Sequence, residues 1–277
     1  MAPSQSTASP HTQQPQASLG LAMALSLVIG TMIGGGIYVM PASLAPLGWN
    51  AVLGWVISGG GALCLAASLR FLMQDSGEGF HAVIERVLGP VPAFLAIWAF
   101  WIAGFVSIAA LTVAAGTVAA DLIFSEPPRN ADIALSLAFL GVATLVNLAG
   151  TRSAGFFQVL TVIVKVLPLL VAILLIAGFA FAGGEPQKLA QVPITFVDVS
   201  QAVAITLFAL LDFEMVAVPV QKIRNPGRNV PIALIGGTCF VVAVYVLVST
   251  GVVLILPWEE IAASSGPVAD LLTLKLG

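Results

Sequence analysis

The most informative stretch of this sequence is residues 30–41, which read GTMIGGGIYVMP. It lies inside an apolar run from about Leu19 to Leu44, which is long enough to cross a bilayer. Lipid offers no partner for a free backbone N–H or C=O group, so a helix that crosses it is normally continuous. Three consecutive glycines disfavour that continuity, because each costs about 0.5–1 kcal/mol relative to alanine inside a helix. The stretch therefore indicates either a broken helix or a straight helix whose glycines admit a close neighbour.

A broken helix would have a chemical consequence at its second half. That half would start near Gly36, where free N–H groups and the positive end of the helix dipole can bind an anion. Irregular backbone at membrane depth is tolerated only where protein or a water-filled cavity surrounds it.

The composition places the chain in a membrane. Of its 277 residues, 59% are hydrophobic and only 8% are charged, a balance that soluble domains of this size do not have. The net charge of −3 argues against nucleic acid as a partner. Phosphate loops, nucleophile–base pairs and metal-ligand spacings do not occur, so we expect neither an enzyme nor a cofactor. We expect seven transmembrane spans, at about residues 19–44, 51–73, 91–123, 132–149, 156–182, 199–220 and 230–256.

The remaining segments have the character of tails and loops. Residues 1–18, rich in Ser, Pro, Gln and Thr, predict a disordered cytoplasmic tail ahead of a transmembrane domain at 19–277. Residues 74–90 predict a short amphipathic helix at the membrane surface, and residues 257–277 another short surface helix. With the N-terminus inside, six basic residues lie in cytoplasmic loops and three in external loops, which favours a cytoplasmic N-terminus.

The sixth span carries two carboxylates near its middle, Asp212 and Glu214. A charge at that depth costs at least about 2.5–3.5 kcal/mol on insertion scales, so it needs a partner or water. Asp212 tolerates non-helical backbone and can cap a second half-helix that has Glu214 in its first turn. The alternative is a carboxylate that faces a central cavity, where it titrates or meets a substrate cation.

The first and sixth spans are thus both interrupted. Breaks five helices apart suggest an inverted five-plus-five repeat, whose substrate site lies between the broken helices at the bilayer midplane. We expect the breaks at about Ile33–Gly36 and Ala209–Phe213, close together in space.

Two motifs resemble the amino acid–polyamine–organocation (APC) superfamily of transporters. Residues 34–45, GGGIYVMPASLA, resemble its glycine-rich first-helix motif, and residues 225–233, NPGRNVPIA, resemble its loop between the sixth and seventh helices. Residues 77–89 are similar to its first cytoplasmic loop. The resemblance runs from about residue 19 to residue 277, and it is nearest to the basic amino acid/polyamine antiporter group that includes the arginine/agmatine antiporter.

The resemblance implies an all-α, leucine-transporter-type inverted-repeat fold that moves amino acids or amines by alternating access, proton-coupled or as an antiporter. Such folds have ten to twelve spans, and this sequence holds about seven, with helices 1 and 6 broken. A multi-pass protein of the plasma (inner) membrane is implied, with protons as the coupling ion, and a homodimer stays open. The alternative is a transport-inactive, truncated membrane scaffold or partner subunit.

The same resemblance implies a substrate site at the two breaks. Its residues are Met32, Ile33, Gly34, Gly35, Gly36, Phe208, Ala209, Leu211, Asp212 and Glu214. The N–H groups of Gly35 and Gly36 would meet a substrate carboxylate, and carbonyls of the unwound stretch would meet its ammonium. Phe208 stands where the group has an aromatic gate, and Glu214 matches an acidic residue linked there to pH sensing or amine binding.

Three positions depart from the family pattern. Gly35 stands where serine is common, Asp212 stands where glycine is usual, and Gly104 stands where the arginine antiporter has a polar side chain. Arginine specificity is therefore not implied, and cationic and neutral amino acids both stay open.

Lys165 is a basic residue far from either end of a predicted span. It lies about nine residues into the fifth span, roughly 13 Å deep at 1.5 Å per residue, which is too deep to snorkel easily. One reading is a pair with a loop carboxylate. The other, implied by proton-coupled members of the superfamily, is an ammonium that replaces a coupling sodium ion and points towards the first break near Gly34. In that reading Lys165 and Glu214 are the coupling residues.

Overall fold

A computed structural model of the protein describes residues 19–73, 80–124, 126 and 128–276. The predicted tail at 1–18 and the start of the predicted surface segment, residues 74–79, lie outside the described residues. The described part of the chain is helical, as expected from the sequence. Its α-helices are α1 Leu21–Met32, α2 Gly36–Leu44, α3 Trp49–Met73, α4 Phe80–Leu88, α5 Pro90–Ile123, α6 Ala131–Leu148, α7 Thr151–Phe181, α8 Phe196–Ala209, α9 Pro226–Ile255, α10 Trp258–Ala263 and α11 Pro267–Leu276.

The first span is broken where the sequence predicts it. Helix α1 ends at Met32, α2 begins at Gly36, and the two halves meet at an angle of 42°. Side chains built at residues 34–36 would meet nothing within 4 Å, so these glycines border open space. Gly30, by contrast, packs so closely on α7 that a Cβ there would lie 2.5 Å from a methyl group of Val162. Glycines therefore serve both the break and the close packing, which the sequence left as alternatives.

The sixth span is also broken at the predicted place. Helix α8 ends at Ala209, Asp212 adopts a left-handed backbone with φ of 73°, and a 3-10 helix follows over Phe213–Ala217. The second half is thus shorter and more tightly wound than the span expected to reach residue 220. Pro219 supplies no N–H, so the helical hydrogen-bond ladder cannot run through it.

The helix contacts have the two-fold pattern of an inverted repeat. Helix α1 packs on α9, where Gly237 lies against Val28, and α3 packs on α8, where Gly54 lies against Ala202. These are the interfaces of the first span (α1) with the seventh (α9) and of the second span (α3) with the sixth (α8). The two-fold relation of an inverted repeat pairs the first span with the sixth and the second with the seventh, so it converts one interface into the other. The predicted leucine-transporter-type arrangement, with both broken helices at its centre, is confirmed at this level.

The other spans surround this centre. Within the described residues, six helices are long and apolar enough to cross a membrane, and the α1–α2 pair makes up to seven. Helices α5 and α6 pack mainly on each other, and α4 lies along α5. The end of the described chain differs from the single surface helix expected at 257–277. Its helices α10 and α11 fold back on α2, because buried Ile261, Val268 and Leu271 find an apolar partner there.

A pair of glycine substitutions on α3 tests this packing. A Cβ at Gly54 would lie 2.6 Å from the Ala202 Cβ and 2.9 Å from its carbonyl carbon, whereas one at Gly61 would meet nothing within 4 Å. We expect Gly54→Ala to lower stability by about 1–3 kcal/mol, because α8 must move away. Gly61→Ala should leave stability unchanged or raise it slightly. Thermal unfolding in detergent measures both, and equal melting temperatures for the two variants would contradict this interface.

Candidate functional site

The two helix breaks touch each other. The hydroxyl of Thr31, in the last turn of α1, lies 2.9 Å from the carbonyl oxygen of Asp212 and 2.7 Å from that of Leu27 in its own helix. One hydroxyl hydrogen can serve one of these acceptors at a time. The expected proximity of the two breaks is therefore confirmed, with a hydrogen-bonding side chain at their contact.

The end of α1 leaves carbonyl groups that lack helical donors, as every helix terminus does. Two side chains from other helices supply the missing donors. The Lys165 ammonium of α7 donates to the Gly30 carbonyl at 2.9 Å, and the Tyr245 hydroxyl of α9 donates to the Met32 carbonyl at 2.7 Å. The positive charge also complements the negative end of the helix dipole.

Lys165 lies farther from the start of its helix than the sequence indicated. Helix α7 begins at Thr151, fourteen residues before it, which corresponds to about 21 Å along the axis at 1.5 Å per residue. Its side chain points to the break as predicted, with the contact at Gly30. In the described part of the chain, the ammonium thus contacts a carbonyl of α1 rather than a carboxylate.

Tyr245 is a functional candidate that the sequence analysis missed. It is almost fully buried, and its ring meets that of Trp55 edge to face with centroids 5.8 Å apart. The Trp55 N–H in turn donates to the Ser249 hydroxyl at 3.2 Å. The available signal was the rarity of tyrosine: the chain has two, and both lie within apolar spans. A buried tyrosine hydroxyl usually finds a hydrogen-bond partner.

The predicted residues of the first break divide into two groups. Met32 and Ile33 are buried, with 4% and 0% of their surface exposed, so their side chains belong to the core. Gly35 and Gly36 are exposed, and Gly34 is half-buried. Among the described residues, neither the Gly35 nor the Gly36 N–H donates to a backbone carbonyl. Both N–H groups therefore remain available to an anion at the start of α2.

The predicted residues of the second break include two carboxylates and three apolar side chains. Asp212 occupies the N-cap position of the 3-10 helix with a left-handed backbone, as the capping alternative expected, but its carboxylate makes no capping bond. Glu214 is half-buried in the first turn of the 3-10 helix. Ala209 is half-buried, while Leu211 and Phe208 are 41% and 79% exposed.

A separate cavity of about 530 Å³ lies along α5 and reaches Val218, just past the second break. Its lining residues are His81, Ile97, Phe100, Trp101, Gly104, Phe105, Ile108 and Val218. Trp101 and Phe105 meet edge to face, and a Cβ at Gly104 would meet nothing within 4 Å. Such a wall suits apolar or cationic groups, because aromatic faces attract cations. Among the described residues, no group of three or more His, Cys, Asp or Glu side chains could hold a metal ion.

Comparison with known proteins agrees with this architecture. The family model described as "Amino acid permease" matches residues 19–277. The chain is 26% identical over 273 residues to the putrescine transporter PotE of Escherichia coli K12, covering 92% of this chain and 59% of the relative. It is 30% identical over 253 residues to the serine/threonine exchanger SteT of Bacillus subtilis, covering 88% and 56%. The chain thus spans somewhat more than half the length of these curated relatives.

Proposed function

The chain belongs to the amino acid permease family, and on that premise we propose that it carries amino acids or polyamines across a membrane by alternating access. Carriers of this architecture bind substrate between broken helices near the bilayer midplane and expose that site to each side in turn. The observation that supports this role is the meeting of the two breaks through Thr31 and Asp212.

The chemistry of the two breaks is complementary to an amino acid. The N–H groups of Gly35 and Gly36 suit a substrate carboxylate, since they lie at the positive end of α2. Asp212 and Glu214 suit an ammonium group, and two carboxylates favour a substrate with a second positive charge. Phe208 and the carbonyls at Met32 and Ile33 would complete the enclosure.

The relatives differ in what their names say they transport, putrescine in one and serine or threonine in the other. Putrescine is a diamine without a carboxylate, whereas serine and threonine have one carboxylate and one ammonium. The carboxylate pair of this chain favours cationic substrates, and the open glycines at 34–36 favour substrates with a carboxylate. A cationic amino acid such as arginine, lysine or ornithine satisfies both.

Coupling is proposed to use protons. Lys165 holds the end of α1 through a charged hydrogen bond to Gly30, and Glu214 lies on the opposite break. Deprotonation of Lys165 would weaken the bond that holds the end of α1, and protonation of Glu214 would remove a negative charge beside the second break. The N-terminus is proposed to be cytoplasmic in a bacterial-type inner membrane, which places α1 on the cytoplasmic side and α2 on the external side of the site.

The first test is substrate competition in liposomes that contain the protein expressed from its complete reading frame. We expect arginine to displace labelled arginine better than leucine does, and Asp212→Asn or Glu214→Gln to reduce that preference about tenfold, because each removes a charged partner. Glu185→Gln, on an exposed loop, is the matched control. If leucine competes equally and neither substitution changes the ranking, the cationic preference is wrong. The absence of any substrate-dependent flux would instead favour the scaffold role.

The second test concerns the carboxylate end of the site. Gly35 has an ordinary φ of −62° and open space for a side chain, so Gly35→Ser should fold normally. Its hydroxyl should lower the KM for arginine and serine roughly threefold to tenfold, because it adds a hydrogen bond to the carboxylate. Putrescine transport should not improve. Gly35→Ala is the control without the hydroxyl. If Gly35→Ala lowers the KM as much as Gly35→Ser does, or if Gly35→Ser lowers the KM for putrescine equally, the substrate carboxylate does not bind at this position.

The third test concerns coupling. Lys165→Ala should reduce proton-driven uptake roughly tenfold while changing substrate affinity much less, since the lost contact is a charged hydrogen bond to α1 rather than a substrate contact. Lys188→Ala removes a positive charge from an exposed loop and should leave uptake unchanged. Uptake driven by an imposed pH gradient and equilibrium binding, measured in parallel, separate the two effects. An unchanged pH dependence in Lys165→Ala would contradict the coupling role.

A further inference from the structure

Lys165 contacts both halves of the broken first helix. Its ammonium donates to the Gly30 carbonyl of α1, and its own backbone carbonyl accepts a hydrogen bond from the hydroxyl of Tyr38 on α2. We propose that Tyr38 is a positioning residue that fastens α2 to α7, independently of the bond that fastens α1. The attachment itself follows from these contacts, and only its consequence for transport rests on the proposed function.

Tyr38 lies in the part of α2 that borders the break. It lies in the first turn of that helix, two residues after Gly36, and its N–H donates to the Gly35 carbonyl at 3.2 Å. The N–H groups proposed to meet the substrate carboxylate belong to this same turn. A bond from the Tyr38 side chain to α7 therefore fixes the turn that presents those groups.

Helix α7 is adapted to accept this bond. Pro168 lies inside the helix, and its ring nitrogen cannot donate to the carbonyl of Val164. A proline in a membrane helix is tolerated when neighbouring groups compensate for the disturbed backbone. The Lys165 carbonyl lies in this disturbed turn, and a carbonyl oxygen has two lone pairs, so it can accept the Tyr38 hydroxyl in addition to a helical N–H.

The two attachments differ in kind. The bond to α1 uses the charged side chain of Lys165, whereas the bond to α2 uses its backbone, which carries no charge to lose. Only the non-helical residues 33–35 connect the halves, and two of these are glycines. Loss of the ammonium therefore removes one of the bonds between α7 and α1, where Gln158 also donates to the Ser26 carbonyl, and leaves the bond between α7 and α2 in place. Loss of the Tyr38 hydroxyl removes the bond to α2 and leaves the bonds to α1 in place.

Hydrogen–deuterium exchange of the reconstituted protein tests this directly, without any need for transport. We expect Tyr38→Phe to raise amide exchange in residues 36–44 about fivefold, as loss of one buried hydrogen bond implies, and to leave residues 21–32 unchanged. Lys165→Met should raise exchange in residues 21–32 instead. Thr144→Val is the control, because the Thr144 hydroxyl bonds only within α6.

Two further results complete the test. Tyr38→Leu removes the ring as well as the hydroxyl, so it should raise exchange in residues 36–44 at least as much as Tyr38→Phe. In transport assays, Tyr38→Phe should raise the KM for substrate on the external face, where α2 is proposed to lie. Unchanged exchange in residues 36–44 of Tyr38→Phe, or an equal rise in both halves, would overturn the proposal. The expected exchange pattern in a protein without flux would support it and reject the proposed function.

Discussion

The structure depends on one constraint: backbone polar groups exposed by a helix break inside a membrane must be paired within the protein or border a water-filled cavity. The end of α1 leaves carbonyls without helical donors, and side chains from two other helices supply them. Lys165 donates to Gly30, and Tyr245 donates to Met32. These donors come from α7 and α9, so each of these helices turns a hydrogen-bonding side chain towards the break.

Glycine makes this arrangement sterically possible in two different ways. At residues 34–36 the absence of side chains leaves space beside the free N–H groups, and the helix is interrupted. At Gly30, Gly54 and Gly237 the absence of a Cβ lets another helix approach closely. The second use brings α7 and α9 close to α1, so that the side chains of Lys165 and Tyr245 reach the carbonyls at its end.

The two breaks offer unlike chemistry although they occupy equivalent places in the repeat. The first presents N–H groups on an uncharged glycine stretch, and the second presents Asp212 and Glu214 around a short 3-10 helix. On the proposed function, a substrate with a carboxylate at one end and positive charge at the other would bind in one orientation. The helices α10 and α11, packed on α2, restrain the second half of the first span. Helix α2 is thus held by α7 on one side and by α10 and α11 on another.

The sequence by itself determined the membrane class, the number of spans and the two break positions. These are local properties: hydrophobic length, the helical cost of consecutive glycines and the cost of carboxylates at membrane depth. It also indicated that Lys165 turns towards the first break. The tertiary structure decided which donor pairs with which carbonyl, because Tyr245 and Met32 are 213 residues apart and Lys165 and Gly30 are 135 apart. It likewise decided that α10 and α11 fold onto α2, since an apolar face in sequence does not specify its partner.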